Sequence, residues 1–348
     1  MKSLDDYLRD VIEREGSDLH LADGLPPKAR IHGALEPIET DELQIAPLVM
    51  PILEARHEEA FQEFGETDLA YEVEGAGRFR VNVFRHKGGL GAVFRTIPQR
   101  IPTIEELEIP LEVKRFTQIR KGLVLVTGPT GSGKSSTLAA LVDLVNQERA
   151  AHIITVEDPI EFVHEDKMST LTQREVGRDT DSFAEALQSA TRQSPDLILV
   201  GEMRDRATIN LALTLAEMGM LVFSTLHTNS AGRSVDRIIK VFPEDQQPQI
   251  RTMLAASIQG ILSQILCRRA DRPGRVPATE LLFTSHAVQN VIREGATHKI
   301  ESMLQAGRAQ GMHRMDDSLY RLVEEGIINR EEAYRKAEEK VRFERFAD

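Results

Sequence analysis

Hydrophobic positions along the chain change period several times, and the changes divide it into two parts of different character. In the first part, Leu4, Leu8, Val11 and Ile12 fall at helical spacing over residues 4–14, and Gly16 ends the run. Residues 18–21 alternate polar and apolar, and residues 29–33 read as a strand entering a turn. Residues 47–64 are helix-like, with Pro47 and Pro51 near their start. Residues 67–73, 77–85 and 92–97 read as strands, the last two joined by a glycine-rich turn at 88–91. Residues 1–98 are therefore expected to form an α+β domain. A linker over 99–115 is expected to follow, rich in proline and charge, with a short helix near 103–107.

From residue 116 onward the apolar runs are of strand length and carry no alternation. They cover 123–126, 152–156, 197–201 and 221–226, with helix-period segments at 137–145, 182–191, 207–218 and 235–241. Strands separated by helices predict a mostly parallel sheet, whose ligands gather at the strands' carboxyl ends. The chain's last third reads as mostly helical, over 244–268, 287–294, 298–309 and 315–325. A final helix is expected from Asn329, with Glu332 three residues on. Residues 338–348 are charged and expected to fray.

Composition narrows the class. The chain has 348 residues, 41% hydrophobic and 28% charged, enough for two domains with substantial cores. No apolar run approaches the ~20 residues of a membrane span, the first residues lack a secretory signal, and Asp5 and Asp6 argue against a transit peptide. The single Cys267 excludes an internal disulfide and a multi-cysteine zinc site. A cytoplasmic location is the expectation. The net charge of −12, 5% aromatics and absence of Trp argue against a nucleic-acid partner. Against that acidic background, residues 77–104 contain no Asp or Glu but include Arg78, Arg80, Arg85, Lys87, Arg95 and Arg100. Strand alternation puts Arg78, Arg80 and Asn82 on one face. They read either as a solvated basic surface or as guanidiniums aimed at a polyphosphate.

The most informative stretch is Gly128-Pro129-Thr130-Gly131-Ser132-Gly133-Lys134-Ser135-Ser136, set between the strand at 123–126 and the helix at 137–145. This is G-x-x-x-x-G-K-[ST] in the context a phosphate-binding loop requires. Glycines let successive backbone N–H groups turn inward on an anion, and the following helix adds free N–H groups and its positive dipole end. Lys134 is expected between the β- and γ-phosphates of ATP, and the Ser135 hydroxyl on Mg²⁺. Such a site also needs an acid near the metal and a group to activate water. Glu202 ends the strand at 197–201, Glu157, Asp158 and Glu161 follow the strand at 152–156, and His227 ends the strand at 221–226.

These residues resemble the hexameric ATPases of type II secretion and type IV pili, and within them the twitching-motility pilus-retraction (PilT-family) ATPases. The likeness extends over nearly the whole chain. It is carried by Ser17-Asp-Leu-His-Leu21, Arg78-Phe-Arg-Val-Asn82 and Val93-Phe-Arg-Thr-Ile-Pro98 in the first part. In the second it is carried by Glu157-Asp-Pro-Ile-Glu-Phe162, Gln173-Arg-Glu-Val176, Val200-Gly-Glu-Met-Arg-Asp205 and Ser224-Thr-Leu-His-Thr228. The resemblance implies a PAS-like domain at 1–98 and a RecA-like ATPase domain with a helical C-terminal region at 116–348. It also implies a homo-hexameric ring that spends ATP on pilus retraction, docked through an inner-membrane platform protein. Glu161 would then be the catalytic glutamate, Glu202 the Walker-B acid holding Mg²⁺ through water, His227 the His-box histidine, and Arg80 and Arg95 the arginines that approach the nucleotide. Two positions depart from the pattern. Met220 stands where a histidine is usual, and Ala287-Val-Gln-Asn-Val-Ile-Arg-Glu294 has Gln289 where retraction ATPases have arginine. An assembly or secretion ATPase of the same superfamily is the alternative, and a nucleic-acid translocase a remote one.

Overall fold

A computed structural model describes residues 2–31, 34–97 and 100–344. The chain divides into two compact units, Met1–Arg100 and Ile101–Asp348.

In the first unit, helix α1 (Leu4–Glu13) starts at a reciprocal capping box. Ser3 Oγ accepts the Asp6 N–H, and the Asp6 carboxylate accepts the Ser3 N–H. Its buried stripe, Leu4, Tyr7, Leu8 and Val11, follows the helical period and joins the core of an antiparallel sheet. That sheet comprises β1 (Gly16–Ala22), β2 (Lys28–Ile31), β3 (Ala34–Pro37), β4 (Glu66–Val73), β5 (Gly77–His86) and β6 (Gly89–Ile97), in the order β3-β2-β1-β6-β5-β4. Phe79, Val81 and Val83 of β5 are buried while Arg80 is exposed, the alternation a half-covered sheet imposes. The expected helix over 47–64 is broken. Helix α2 (Ala46–Val49) passes into a 3₁₀ turn at Met50–Ile52, and α3 (Ala55–Phe64) starts afresh. Pro51 has no N–H to continue α2 and its ring crowds the preceding turn. Of the strand expected over 29–33, residues 32 and 33 lie outside the described residues.

The second unit is built on a seven-stranded sheet of order β13-β12-β7-β11-β10-β8-β9. Its strands are β7 (Gly122–Thr127), β8 (His152–Glu157), β9 (Thr170–Glu175), β10 (Leu197–Val200), β11 (Leu221–Leu226), β12 (Ile258–Arg268) and β13 (Arg275–Phe283). All neighbours run parallel except β12 and β13. Every residue of β7, β10 and β11 is buried, as expected of strands covered on both faces. The covering helices include α4 (Lys134–Glu148), α5 (Phe183–Ala190), α6 (Arg206–Glu217), α7 (Ala231–Lys240), α8 (Gln247–Ser257) and α9 (His286–Arg293). The carboxyl ends of β7, β8, β10 and β11 lie on one edge, and the candidate groups of this unit stand at those ends, on the loops beyond them or in the first turn of α4.

Four expectations are corrected here. The segment 244–268 is not one helix: α8 ends at Ser257 and β12 begins at Ile258. A Cβ on Gly260 would lie 2.3 Å from the Phe116 ring and 2.8 Å from the Leu282 oxygen, so only glycine fits this close strand approach. Strand β9 went unassigned, because Thr-Leu-Thr-Gln-Arg-Glu has too few apolar residues to signal an edge strand. The stretch 298–309 is interrupted, with α10 (Ile300–Ala306) between two 3₁₀ turns. The frayed end expected over 338–348 is instead pinned as far as residue 344. Beyond α11 (Met315–Glu324) and α12 (Arg330–Lys336), α13 (Val341–Glu344) follows Glu338 and Glu339, whose N–H groups bond to Asp316. Arg342 pairs with Asp317 at 2.6 Å. Residues 345–348 lie outside the described residues.

Much of the stretch read as a linker, 99–115, belongs to the second unit's core: Ile104, Ile109 and Val113 are buried in it, as is Phe116 just beyond. The turn opening at Thr103 closes one helical turn, with Leu107 N–H on the Thr103 oxygen, and stops at Glu108, whose φ is +54°. Glu108 is then fixed by Arg269 at 2.7 Å and Arg272 at 2.6 Å. Phe116 stacks on Phe283 with ring centroids 5.2 Å apart. Phe116→Ala is therefore expected to cost about 3–5 kcal/mol, the usual range for a buried aromatic. Thermal denaturation of the whole chain would check it, and an unchanged midpoint would mean that this segment is not core.

Candidate functional site

The strand-to-helix turn after β7 has the geometry its glycines promise. Gly128, Gly131 and Gly133 have φ of +151°, +75° and +88°. A Cβ on Gly128 would fall 2.2 Å from the Gln264 carbonyl oxygen and 2.6 Å from Ser132 Oγ, so the loop closes only around glycine there. Gln264 of β12 props the loop from below: its Nε2 donates to the Ser132 oxygen at 2.6 Å and its Oε1 accepts Thr137 Oγ1 at 3.0 Å. Sequence reasoning missed Gln264, because it placed that residue in a helix. Thr127 and Ser263, joined at 2.9 Å, tie β7 to β12 at the loop's root.

Lys134 is 8% exposed, and its ammonium donates to the Gly128 and Pro129 oxygens, each at 3.0 Å. Burial pulls its pKa below the ordinary lysine value, opposed by the negative charges of Glu202 and Glu161. The parallel order β7-β11-β10-β8 aligns the ends of β8 and β10 with the end of β7, from which the loop springs. Ser132 Oγ is buried without a hydrogen-bond partner among the described residues. A folded-back lysine, glycine-made space and an orphaned hydroxyl suit a phosphate. Ser135 and Ser136 lie in the first turn of α4, where backbone N–H groups are free for an anion.

Beyond β10, the Glu202 carboxylate holds Arg204 at 2.8 Å and His227 Nε2 at 3.2 Å. The other His227 nitrogen lies 3.5 Å from Thr130 Oγ1, linking the end of β11 to the phosphate loop. Burial alone would raise the Glu202 pKa, but Arg204 and His227 outweigh it and the net shift is downward. Arg204 is a contact that no role was assigned to in the sequence. Beyond β8, Glu157 Oε1 accepts the Thr155 hydroxyl at 2.7 Å, and Oε2 accepts the Glu161 N–H at 3.4 Å. Burial pushes the Glu157 carboxyl up to about 7, against those hydrogen bonds.

Among the nominated residues, the second unit thus brings together 128–136, Glu161, Glu202 and His227. Arg80 and Arg95 belong to the first unit, opposite each other on β5 and β6. Arg95 already has a carboxylate partner, Asp18, at 2.9 Å. Asp18 is 4% exposed and also accepts the Ser17 hydroxyl at 2.7 Å. Met220 contributes its backbone, accepting the Gly122 N–H at 2.9 Å, and packs its side chain against the core. In α9, Val288, Val291 and Ile292 are buried, Gln289 is half-buried and Arg293 is exposed.

A parallel sheet carrying a phosphate loop, with acids at the ends of the neighbouring strands, defines a RecA-like P-loop ATPase beside an antiparallel α+β domain. The chain belongs to the type II/IV secretion system protein family, whose family model matches residues 1–346. It is 49% identical over 324 residues to the type IV pilus retractation ATPase PilT of Pseudomonas aeruginosa, covering 92% of this chain and 94% of that one. It is 46% identical over 315 residues to a twitching motility protein of Neisseria gonorrhoeae, covering 90% and 84%. The crystal structure of the pilus retraction motor PilT with bound ADP superposes with a TM-score of 0.91 at 40% identity, covering 99% of this chain and all of that one.

Proposed function

We propose that this chain is an ATP-driven motor that retracts type IV pili. The observation that carries the reading is the glycine-built phosphate loop around the buried Lys134, joined through Thr130 and His227 to the Glu202 carboxylate. Identity to a pilus retraction ATPase over nearly the full length supplies the direction of work.

Binding ATP would exchange the Gly128 and Pro129 carbonyls on Lys134 for β- and γ-phosphate oxygens, while loop N–H groups and the start of α4 take the remaining charge. The Ser135 hydroxyl and the Glu202 carboxylate fit Mg²⁺. Because Arg204 and His227 already occupy the Glu202 oxygens, its link to the ion would run through water. Mg²⁺ would neutralise charge on the β- and γ-phosphates. With Glu202 so engaged, Glu161, which matches the family's catalytic glutamate, is the carboxylate proposed to take a proton from the attacking water. His227, between Thr130 and Glu202, would pass the state of the loop to the end of β11.

The motor acts as a homo-hexamer in this reading, on the cytoplasmic side, engaging an inner-membrane platform protein and no nucleic acid. Arg80 and Arg95 are the arginines proposed to approach the nucleotide in the assembled motor, which for Arg95 means leaving Asp18.

Deleting the gene from a host that makes type IV pili is the deciding experiment. Cells should keep surface pili and lose twitching. Bald cells would instead assign the chain to pilus assembly.

A further inference from the structure

The stretch Gln173-Arg-Glu-Val176 takes no part in the chemistry above, although it is among the most distinctive in the sequence. Its first three residues end β9, the sheet's edge strand, in register with the end of β8: Gln173 lies opposite Thr155 and Glu175 opposite Glu157. From there their side chains reach the loop that carries Glu161. Gln173 Nε2 donates to the Phe162 carbonyl oxygen at 2.9 Å and to Glu157 Oε1 at 3.4 Å, and Gln173 Oε1 accepts the His164 N–H at 2.8 Å. Glu175, 6% exposed, accepts the Ile160 N–H at 3.1 Å. Its own N–H is held by Asp179 at 2.9 Å.

Residues 158–169 contain no helix or strand. The backbone polar groups of such a loop must find side-chain or solvent partners, and the first choice fixes the loop in space. Here Ile160, Glu161, Phe162 and His164 are each held by a side chain from β8 or β9. Gln173 alone grips both Phe162 and His164, just downstream of Glu161, while Glu175 and Glu157 hold the upstream side.

We propose that Gln173, seconded by Glu175, is a positioning residue for hydrolysis: it suspends the loop so that the Glu161 carboxylate meets the attacking water at the right place. The proposal rests on the reading of Glu161 as the base. Positioning of this kind is expensive to lose, since a displacement of about 1 Å costs roughly 10²-fold in rate. A purely structural amide would behave differently, because its loss would loosen the sheet and affect binding and turnover together.

Gln173→Leu removes all of these bonds. Gln173→Met keeps the length but cannot donate to Phe162, so it carries the same test should the leucine variant fail to fold. Both are expected to lower kcat at least about tenfold with KM for ATP within about twofold. Amide hydrogen exchange of the full-length protein should quicken over 160–164 and stay unchanged in β8 and β9. Wild-type kcat, or a loss of kcat accompanied by faster exchange throughout β8 and β9, would overturn the proposal. Glu161→Gln run alongside separates the two readings. If it retains full turnover, the base assignment falls first; if it is inactive while Gln173→Met is fully active, only the positioning role falls.

Discussion

Lys134→Ala should reduce ATP turnover by about 10³-fold or more, to the background of a phosphate-release assay. Within 128–136 no other side chain is cationic. Thr130, Ser132, Ser135 and Ser136 offer neutral hydroxyls, and the nearest carboxylates, Glu161 and Glu202, would repel a triphosphate left without its cation. The fold should tolerate the change. Lys134 bonds only to two carbonyls of its own loop, and its burial depresses its pKa, so the native state gains little from holding a charge there. The variant is therefore expected to unfold within a few degrees of the wild type while calorimetry shows weakened ATP binding. Turnover at the unmutated rate would remove the phosphate loop from the mechanism altogether.

What could be read directly from the sequence was what local physics determines. Gly128, Gly131 and Gly133 are needed for positive φ or for close approach whatever surrounds them, and uniformly apolar runs such as 123–126 can only be strands covered on both faces. The same holds for the acids at strand ends, because a parallel sheet aligns its carboxyl edges. Contacts made across long stretches of chain were illegible. Gln264 supports Ser132 from 132 residues away, and Asp18 holds Arg95 across 77. Neither partner carries a signal of its own. The periodicity of 258–268 suits a helix as well as a strand, and the close approach of Phe116 and Leu282 to Gly260 settled it. Gln173 and Glu175 show the limit best. Their stretch was visible as distinctive, but its task became legible only when β9 was seen to lie beside β8.

Glu161→Gln should separate binding from chemistry. The amide preserves size, and the Glu161 backbone N–H keeps its bond to Glu157, so the loop and the nucleotide site should stay in place and ATP affinity should change by no more than about threefold. The amide nitrogen and oxygen are far weaker bases than a carboxylate, and the loss of general-base catalysis is expected to lower kcat by about 10²–10⁴-fold. Glu157 is the rival. Its carboxyl, pushed up to about 7 by burial, is ionised only on the alkaline side of neutrality and could serve as a base there. The rival reading predicts that Glu161→Gln keeps a residual turnover that climbs as pH passes through 7, and that Glu157→Gln removes it. With Glu161 as the base, the residual rate is low and flat across that range, and Glu157→Gln alone leaves substantial activity. Single-turnover hydrolysis from pH 6 to 8, with ATP binding measured on the same samples, distinguishes the two; a Glu161→Gln protein at full rate would transfer the catalytic role to Glu157.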